Sequence, residues 1–265
     1  MDESSLKIGL RHALERGEFL LHYQPQVDAL TGRVEAVEAL LRWRRPEHGL
    51  VSPAVFIPLA ESTGLIVPIG DWVLRTACAQ SRLWLNAGLP AVRMAVNLSA
   101  RQFSDADLAG RVASALDAAG LEPHDLELEI TESMMARDPE AAARILRTLR
   151  SSGVRLMIDD FGTGYSSLGS LKRFPVDGLK IDRAFVSSLP HDRHDRIITR
   201  AVIGMAEELG LDTVAEGVET PAQSAFLTEQ RCRLLQGYLT GRPQPPDAVA
   251  ERLAALTPSS ASTRS

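Results

Sequence analysis

Acidic and amide side chains recur where short apolar runs end. Glu38 lies within "AVEALLR", Asn97 closes "RMAVN", Glu129 sits in "LELEITES", Asp159 and Asp160 follow "VRLMI", and Glu216 falls in "TVAEGVE". Lys180, in "GLKID", is the cation of the series, and Gln236, in "LLQGY", adds a second amide. Carboxylates gathered at one place would repel and raise one another's pKa unless something cationic neutralised them. Divalent cations do so. Oxygen ligands from Asp, Glu and an Asn amide suit Mg²⁺ or Mn²⁺, and no His-x-x-x-His pair or cysteine set favours zinc. The adjacency of Asp159 and Asp160 lets one carboxylate bridge two ions while the other holds only the second. Two ions about 3.5–4 Å apart are a recurrent arrangement for in-line phosphoryl displacement.

Residues so far apart in sequence meet only if separate strands bring them to one rim. β-rich runs at 19–26, 34–42, 92–97, 125–130, 154–159, 177–181, 212–216 and 234–236 alternate with helical patterns. Asp138-Pro139-Glu140 supplies an N-cap, an N1 proline and an early acid ahead of Ala142, Ile145, Leu146 and Leu149 on one face. A second helix is predicted from Asp192, with Ile198, Val202, Met205 and Leu209 as its apolar face and Gly210 as its stop. Eight strands with helical crossovers in 265 residues suggest an α/β (β/α)₈ barrel, the TIM type, whose chemistry sits at the C-terminal mouth and whose usual size is about 250 residues. One domain is expected over 1–256, with the tail "TPSSASTRS" (257–265) too polar and small to pack.

The first two strands modify that plan. Only the turn around Ala29-Leu30-Thr31-Gly32 separates them, too short for a parallel crossover, so the first strand is expected to be antiparallel. A hairpin centred near Thr31 sets Gln24 opposite Glu38. Two polar side chains then meet at one end of the barrel.

Composition removes several function classes. The balance of 29 Lys+Arg against 34 Asp+Glu gives a net charge of −5 and offers no broad basic face to duplex nucleic acid. Cys78 and Cys232 lack a CxxC spacing and fit a reduced, cytoplasmic setting better than a disulfide scaffold. No apolar run approaches the roughly 20 residues that span a bilayer. His191 and His194 read as solvated, His22 as packed or hydrogen-bonded, and Asp182 as a helix cap ahead of "RAFVSSL". Trp43, Trp72 and Trp84 read as packing residues, and Arg44 and Arg45 as solvated neighbours of Arg42.

The segments "EALLR" (38–42), "NLS" (97–99), "ITES" (130–133), "DDFGTGYSSL" (159–168), "LKID" (179–182), "AEGVE" (215–219) and "QGYLTGRP" (236–243) together resemble the EAL domain family, the bacterial cyclic di-GMP phosphodiesterases. The ordered set extends over about residues 5–250 and is specific where a lone "EAL" is not. The resemblance implies a first metal held by Glu38, Asn97, Glu129 and Asp159, and a second held by Asp159, Asp160 and Glu216. It implies that Lys180 orients the attacking water, which with Glu216, Asp160 and Glu38 makes up the catalytic group. Gln24, Arg42 and Gln236 are implied to contact substrate or its water, with Arg42 on a phosphate, while Glu132 and Glu219 support the site and its loop.

The implied reaction converts cyclic di-GMP to linear 5′-pGpG with two Mg²⁺ or Mn²⁺ ions, and Ca²⁺, with its longer bonds, is expected to inhibit. No catalytic position departs from the family pattern; Thr240 stands where larger residues are frequent. A homodimer, and attachment to or partnership with a sensory or diguanylate cyclase module, are further implications. The glycine-rich loop from Phe161 to Leu168 is expected to be a mobile part of the site, anchored by Glu132. Two other classes stay open at this point: a catalytically silent receptor for the dinucleotide, and a scaffold that needs neither metal nor nucleotide.

Overall fold

The computed structural model describes residues 3–46, 48–162 and 173–255. Most of the glycine-rich loop and the whole tail 257–265 lie outside the described residues.

Strand β1 (Phe19–Asp28) returns through a tight turn into β2 (Val34–Arg45). Asp28 closes the turn: its Oδ1 accepts from Leu30 N at 3.1 Å, Thr31 N at 2.7 Å and Thr31 Oγ1 at 2.8 Å. Such a side-chain turn substitutes for a backbone one, and Gly32, at φ 68°, takes the left-handed conformation it needs. The resulting antiparallel register pairs Gln24 with Glu38, as the hairpin spacing predicts.

The remaining strands are β3 (Gly49–Val51), β4 (Arg93–Asn97), β5 (Leu126–Thr131), β6 (Arg155–Phe161), β7 (Gly178–Ile181), β8 (Asp212–Ala215) and β9 (Leu234–Leu235). Their order, β1-β9-β8-β7-β6-β5-β4-β2 with β1 paired again to β2, closes an eight-stranded barrel, and β3 hangs on the end of β2. β1 is antiparallel to both neighbours while the other barrel pairs are parallel. The expected α/β barrel with a reversed first strand is therefore present. Two elements go beyond the expectation: β3 and the helix Glu3–Ala13, which buries Leu6, Leu10 and Ala13.

Most helices cover the outside of the barrel and bury the main apolar core between themselves and the strands. Asp138 caps the helix Pro139–Ser151 through Ala141 N at 2.9 Å, and Asp192 caps Arg193–Leu209 through His194 N at 2.7 Å. The second helix turns inward only part of its expected face: Val202 is buried and Met205 packs against the core. Thr199, Val202, Ile203 and Ala206 are buried, whereas Ile198 is 36% and Leu209 51% exposed. The inward stripe is thus rotated toward Thr199, Ile203 and Ala206. Arg45 also differs from its expected solvated state: it donates to Ser5 Oγ at 3.1 Å and lies 5.5 Å from the centre of the Trp43 ring.

The barrel interior has its own layering. Met157, Val214 and Leu234 form a small apolar cluster separate from the main core. Gly178 makes room for it, because a Cβ there would stand 2.6 Å from Met157 Sδ. At the N-terminal end of the strands a closed ring of alternating charge surrounds the axis. Arg93 lies 3.9 Å from Glu35 and 3.5 Å from Glu127; Arg155 lies 3.4 Å from Glu127 and 2.7 Å from Asp212; Arg233 lies 3.3 Å from Asp212 and 2.8 Å from Glu35. Three guanidiniums balance three carboxylates.

Candidate active site

The mouth at the other end gathers the sequence-predicted residues. Lys180, only 1% exposed, occupies its centre. Its Nζ lies 2.7 Å from Glu216 Oε1, 2.9 Å from Glu129 Oε2, 3.4 Å from Asp159 Oδ1 and 3.7 Å from Glu38 Oε2. β2, β5 and β6 supply Glu38, Glu129 and Asp159, β7 supplies Lys180, and Glu216 follows β8 directly. Burial opposes the charge on Lys180, but Asp159, Glu129, Glu216 and Glu38 outweigh it and hold the pKa well above the usual lysine value.

The carboxylates respond differently to the same surroundings. Burial works against ionising Glu38, yet Lys180 and the amides of Gln236 and Asn97 hold its pKa below the ordinary range. Asn97 Nδ2 donates to Glu38 Oε1 at 2.6 Å, and Gln236 Nε2 donates to Glu38 Oε2. Burial and the neighbouring Glu38 push Glu129 well up, so Glu38 ionises first. Burial raises Glu216 to about 7, and burial with Asp159 and Asp182 raises Asp160 to about 6.

Asp159 and Asp160 pose a geometric problem, since consecutive strand residues face opposite sides of a sheet. The chain solves it with an irregularity. The β6–β7 register shifts between Ile158 and Phe161, and Asp160 takes φ 54°, a left-handed conformation that Asp tolerates better than most residues. Both carboxylates thereby reach the mouth, and ligand atoms of Asp159, Asp160 and Glu216 all lie within 4.8 Å of one another. These three fit a cation. Glu129 Oε2 fits one too: it is buried, ion-paired to Lys180 and otherwise without a donor among the described residues.

The other expected residues border the same space. Gln24 donates to Gly241 O at 2.9 Å and accepts from Gln236 Nε2 at 3.2 Å. A cavity of about 330 Å³ over the mouth is lined by Gln24, Glu38, Asn97, Asp159, Glu216 and Gln236, among others. A second, of about 410 Å³, shares Leu40, Asn97 and Asp159 with it and reaches Arg42, Asp160 and the apolar side chains Ile57, Ile69 and Met134. Together they form a two-lobed cleft across the carboxylates. Glu132, buried to 4% exposure, accepts from Gly162 N at 3.3 Å and so touches the start of the glycine-rich loop. Glu219 pairs with Arg183 at 2.9 Å on the cleft wall. Asp182 caps Ala184 N at 2.8 Å, in line with its expected role, and also bears on Asp160.

Sequence reasoning missed Gln26, Arg183 and Tyr238. Gln26 was within reach, because it follows Gln24 by two residues on one strand and must share its face. Arg183 opens the short helix Arg183–Val186 after "LKID", and Tyr238 lies in the turn after "QG", positions where periodicity carries no signal.

The fold and mouth define a class: a closed α/β barrel whose strand ends present carboxylates and a buried lysine for cation-assisted chemistry. Residues 9–243 match the family model described as the EAL domain, and the chain belongs to that family. It is 53% identical over 245 residues to the bifunctional diguanylate cyclase/cyclic di-GMP phosphodiesterase MucR of Pseudomonas aeruginosa, covering 92% of this chain and 36% of MucR. It is 47% identical over 253 residues to the cyclic di-GMP phosphodiesterase NbdA of the same organism, covering 96% and 32%. The solved structure of the PaMucR phosphodiesterase in complex with c-di-GMP superposes with a TM-score of 0.90 at 53% identity, covering 92% of this chain and 99% of that one. The chain thus spans about a third of the length of these curated relatives. No helix among the described residues is long and apolar enough to cross a membrane.

Proposed function

We propose that this chain is a divalent-cation-dependent phosphodiesterase that opens one phosphodiester of cyclic di-GMP to give linear 5′-pGpG. The observation that carries the proposal is the convergence of carboxylates from four strands around one buried ammonium, beneath a two-lobed cleft. A cyclic dinucleotide has two bases and a phosphodiester on each side, which suits two lobes meeting over a charged centre. The relatives named above support the same substrate.

Glu38, Asn97, Glu129 and Asp159 would hold one cation, and Asp159, Asp160 and Glu216 a second. When bound, such ions neutralise the phosphodiester, acidify water and favour attack in line with the leaving oxygen. With all ionised, Glu38, Glu129, Asp159, Asp160 and Glu216 exceed Lys180 by four negative charges, the charge that two divalent cations balance. Lys180 supplies a fixed positive charge and N–H donors toward the reacting phosphoryl group. Arg42, on the second lobe, offers a guanidinium to a phosphate oxygen, and the amides of Gln24 and Gln236 fix polar contacts over Glu38. Overall, water adds its hydroxyl to phosphorus and its proton reaches the 3′ oxygen, leaving a 5′-phosphate and a free 3′ hydroxyl.

Chelator-stripped protein, supplied with Mg²⁺ or Mn²⁺ and cyclic di-GMP, is expected to yield the linear dinucleotide on chromatographic separation, with Ca²⁺ failing to support turnover. Binding without turnover would instead indicate a receptor. Absence of both binding and turnover would overturn the proposal, as would binding with no turnover.

A further inference from the structure

Below the mouth, Gln26 is fully buried on β1. Its Nε2 lies 3.0 Å from Gln236 Oε1 and 3.5 Å from Glu129 Oε1, and Gln236 Nε2 in turn donates to Gln24 Oε1 and Glu38 Oε2. The orientation of both amides follows from chemistry. Glu38, the carboxylate held ionised, only accepts, so the face of Gln236 toward it must be its nitrogen. Gln236 then turns its oxygen to Gln26, which must meet it with its nitrogen, and that nitrogen also faces Glu129 Oε1. One carboxylate thus sets both amides in one consistent direction. Gln26 Oε1, by contrast, is buried with no hydrogen-bond partner among the described residues. An amide that leaves an acceptor unsatisfied in a closed interior costs stability and needs a compensating use.

We infer that Gln26 is a positioning residue of the cation site, holding Glu129 from beneath and fixing the rotamer of Gln236 that donates to Glu38. It touches neither cleft and acts only through those two side chains. The inference rests on the metal-dependent reading above and extends it to a residue outside the ligand set. Partners of metal ligands typically matter for metal affinity by about 10–100-fold, and the lower end suits a donor that reaches Glu129 at 3.5 Å.

The test is Gln26→Met, close in size and apolar, with Gln26→Leu as a second packing solution. Mn²⁺ binding to the whole chain is measured by calorimetry without nucleotide. Both variants are expected to bind Mn²⁺ about tenfold more weakly, to stay folded, since the unsatisfied acceptor removed offsets the donor that Gln236 Oε1 loses, and to lose kcat with KM for cyclic di-GMP retained. Unchanged Mn²⁺ affinity in both variants would overturn the inference. So would unfolding, which would make Gln26 a structural residue. Should wild type bind Mn²⁺ without hydrolysing cyclic di-GMP, the proposed function fails while the calorimetry still decides the role of Gln26.

Discussion

The two ends of the barrel use the same residue types to opposite purpose. At the N-terminal end, Arg93, Arg155 and Arg233 alternate with Glu35, Glu127 and Asp212 in a closed ring in which each charge has two partners. At the C-terminal end, four carboxylates crowd one lysine and Asp160 joins Asp159 and Glu216 nearby. A balanced ring needs nothing from outside and closes the barrel floor. An unbalanced mouth is stable only by holding protons or by acquiring cations, and burial, helped by neighbouring carboxylates, raises Glu216 to about 7 and Asp160 to about 6, whereas Glu127 of the ring, raised by burial, has Arg93 and Arg155 pulling the other way. The contrast teaches that a functional site is recognisable as a place where charge is not compensated, more than as a place where charge is abundant.

The largest effect is expected where the mouth loses its own cation. Lys180→Met leaves Glu38, Glu129, Asp159 and Glu216 without a counter-charge and should cost the metal-free protein about 3–5 kcal/mol at pH 8, read by urea unfolding with chelator present. The loss should shrink at pH 6, where carboxylates take up protons, and turnover should vanish at either pH. Asp160→Asn comes next, with turnover falling about 100-fold or more, as expected for a ligand rather than a support, while the melting temperature stays close to wild type. Near-wild-type turnover would remove the second cation from the account.

Arg155→Met tests the floor. Breaking the ring should destabilise by about 1–3 kcal/mol, since Glu127 is left with only Arg93, yet leave the turnover of folded protein unchanged. A large activity loss there would erase the distinction between the two ends. The smallest effect is a titration. Glu216, raised to about 7, and Asp160, raised to about 6, are protonated below those values, so a cation must displace their protons. Apparent Mn²⁺ affinity should therefore rise with pH through that window. The linked stability has the opposite sign: both folded pKa values exceed the unfolded ones, so the stabilisation these groups give metal-free protein is present at low pH and lost as pH rises through 6–7. A metal affinity flat across the same range would contradict the protonated mouth.

Much of this was legible in the sequence, for reasons that differ by residue. The register of Gln24 against Glu38 follows from a turn too short for any other connection, and the strand-end acids follow from the rule that barrel chemistry lies where strands hand over to loops. The common orientation of Asp159 and Asp160 was not legible as geometry. Period-two alternation sends adjacent residues apart, and only the shifted register and left-handed φ at Asp160 bring them together. The floor ring left a signal that went unread: Arg93, Arg155 and Asp212 each precede a mouth residue by four positions, Asn97, Asp159 and Glu216, and so share its face. The inward face of Arg193–Leu209 was only half legible: Val202 and Met205 pack inward, while Ile198 and Leu209 are exposed and Thr199, Ile203 and Ala206 take their place, because apolar periodicity alone leaves the stripe's exact orientation open.

The central claim is that the excess negative charge of the mouth is shaped for two divalent cations. Equilibrium dialysis against saturating Mn²⁺ at pH 8 measures it directly. The account predicts two ions bound per wild-type chain, falling to about one in Asp160→Asn. No Mn²⁺ bound to the folded wild-type chain would contradict it.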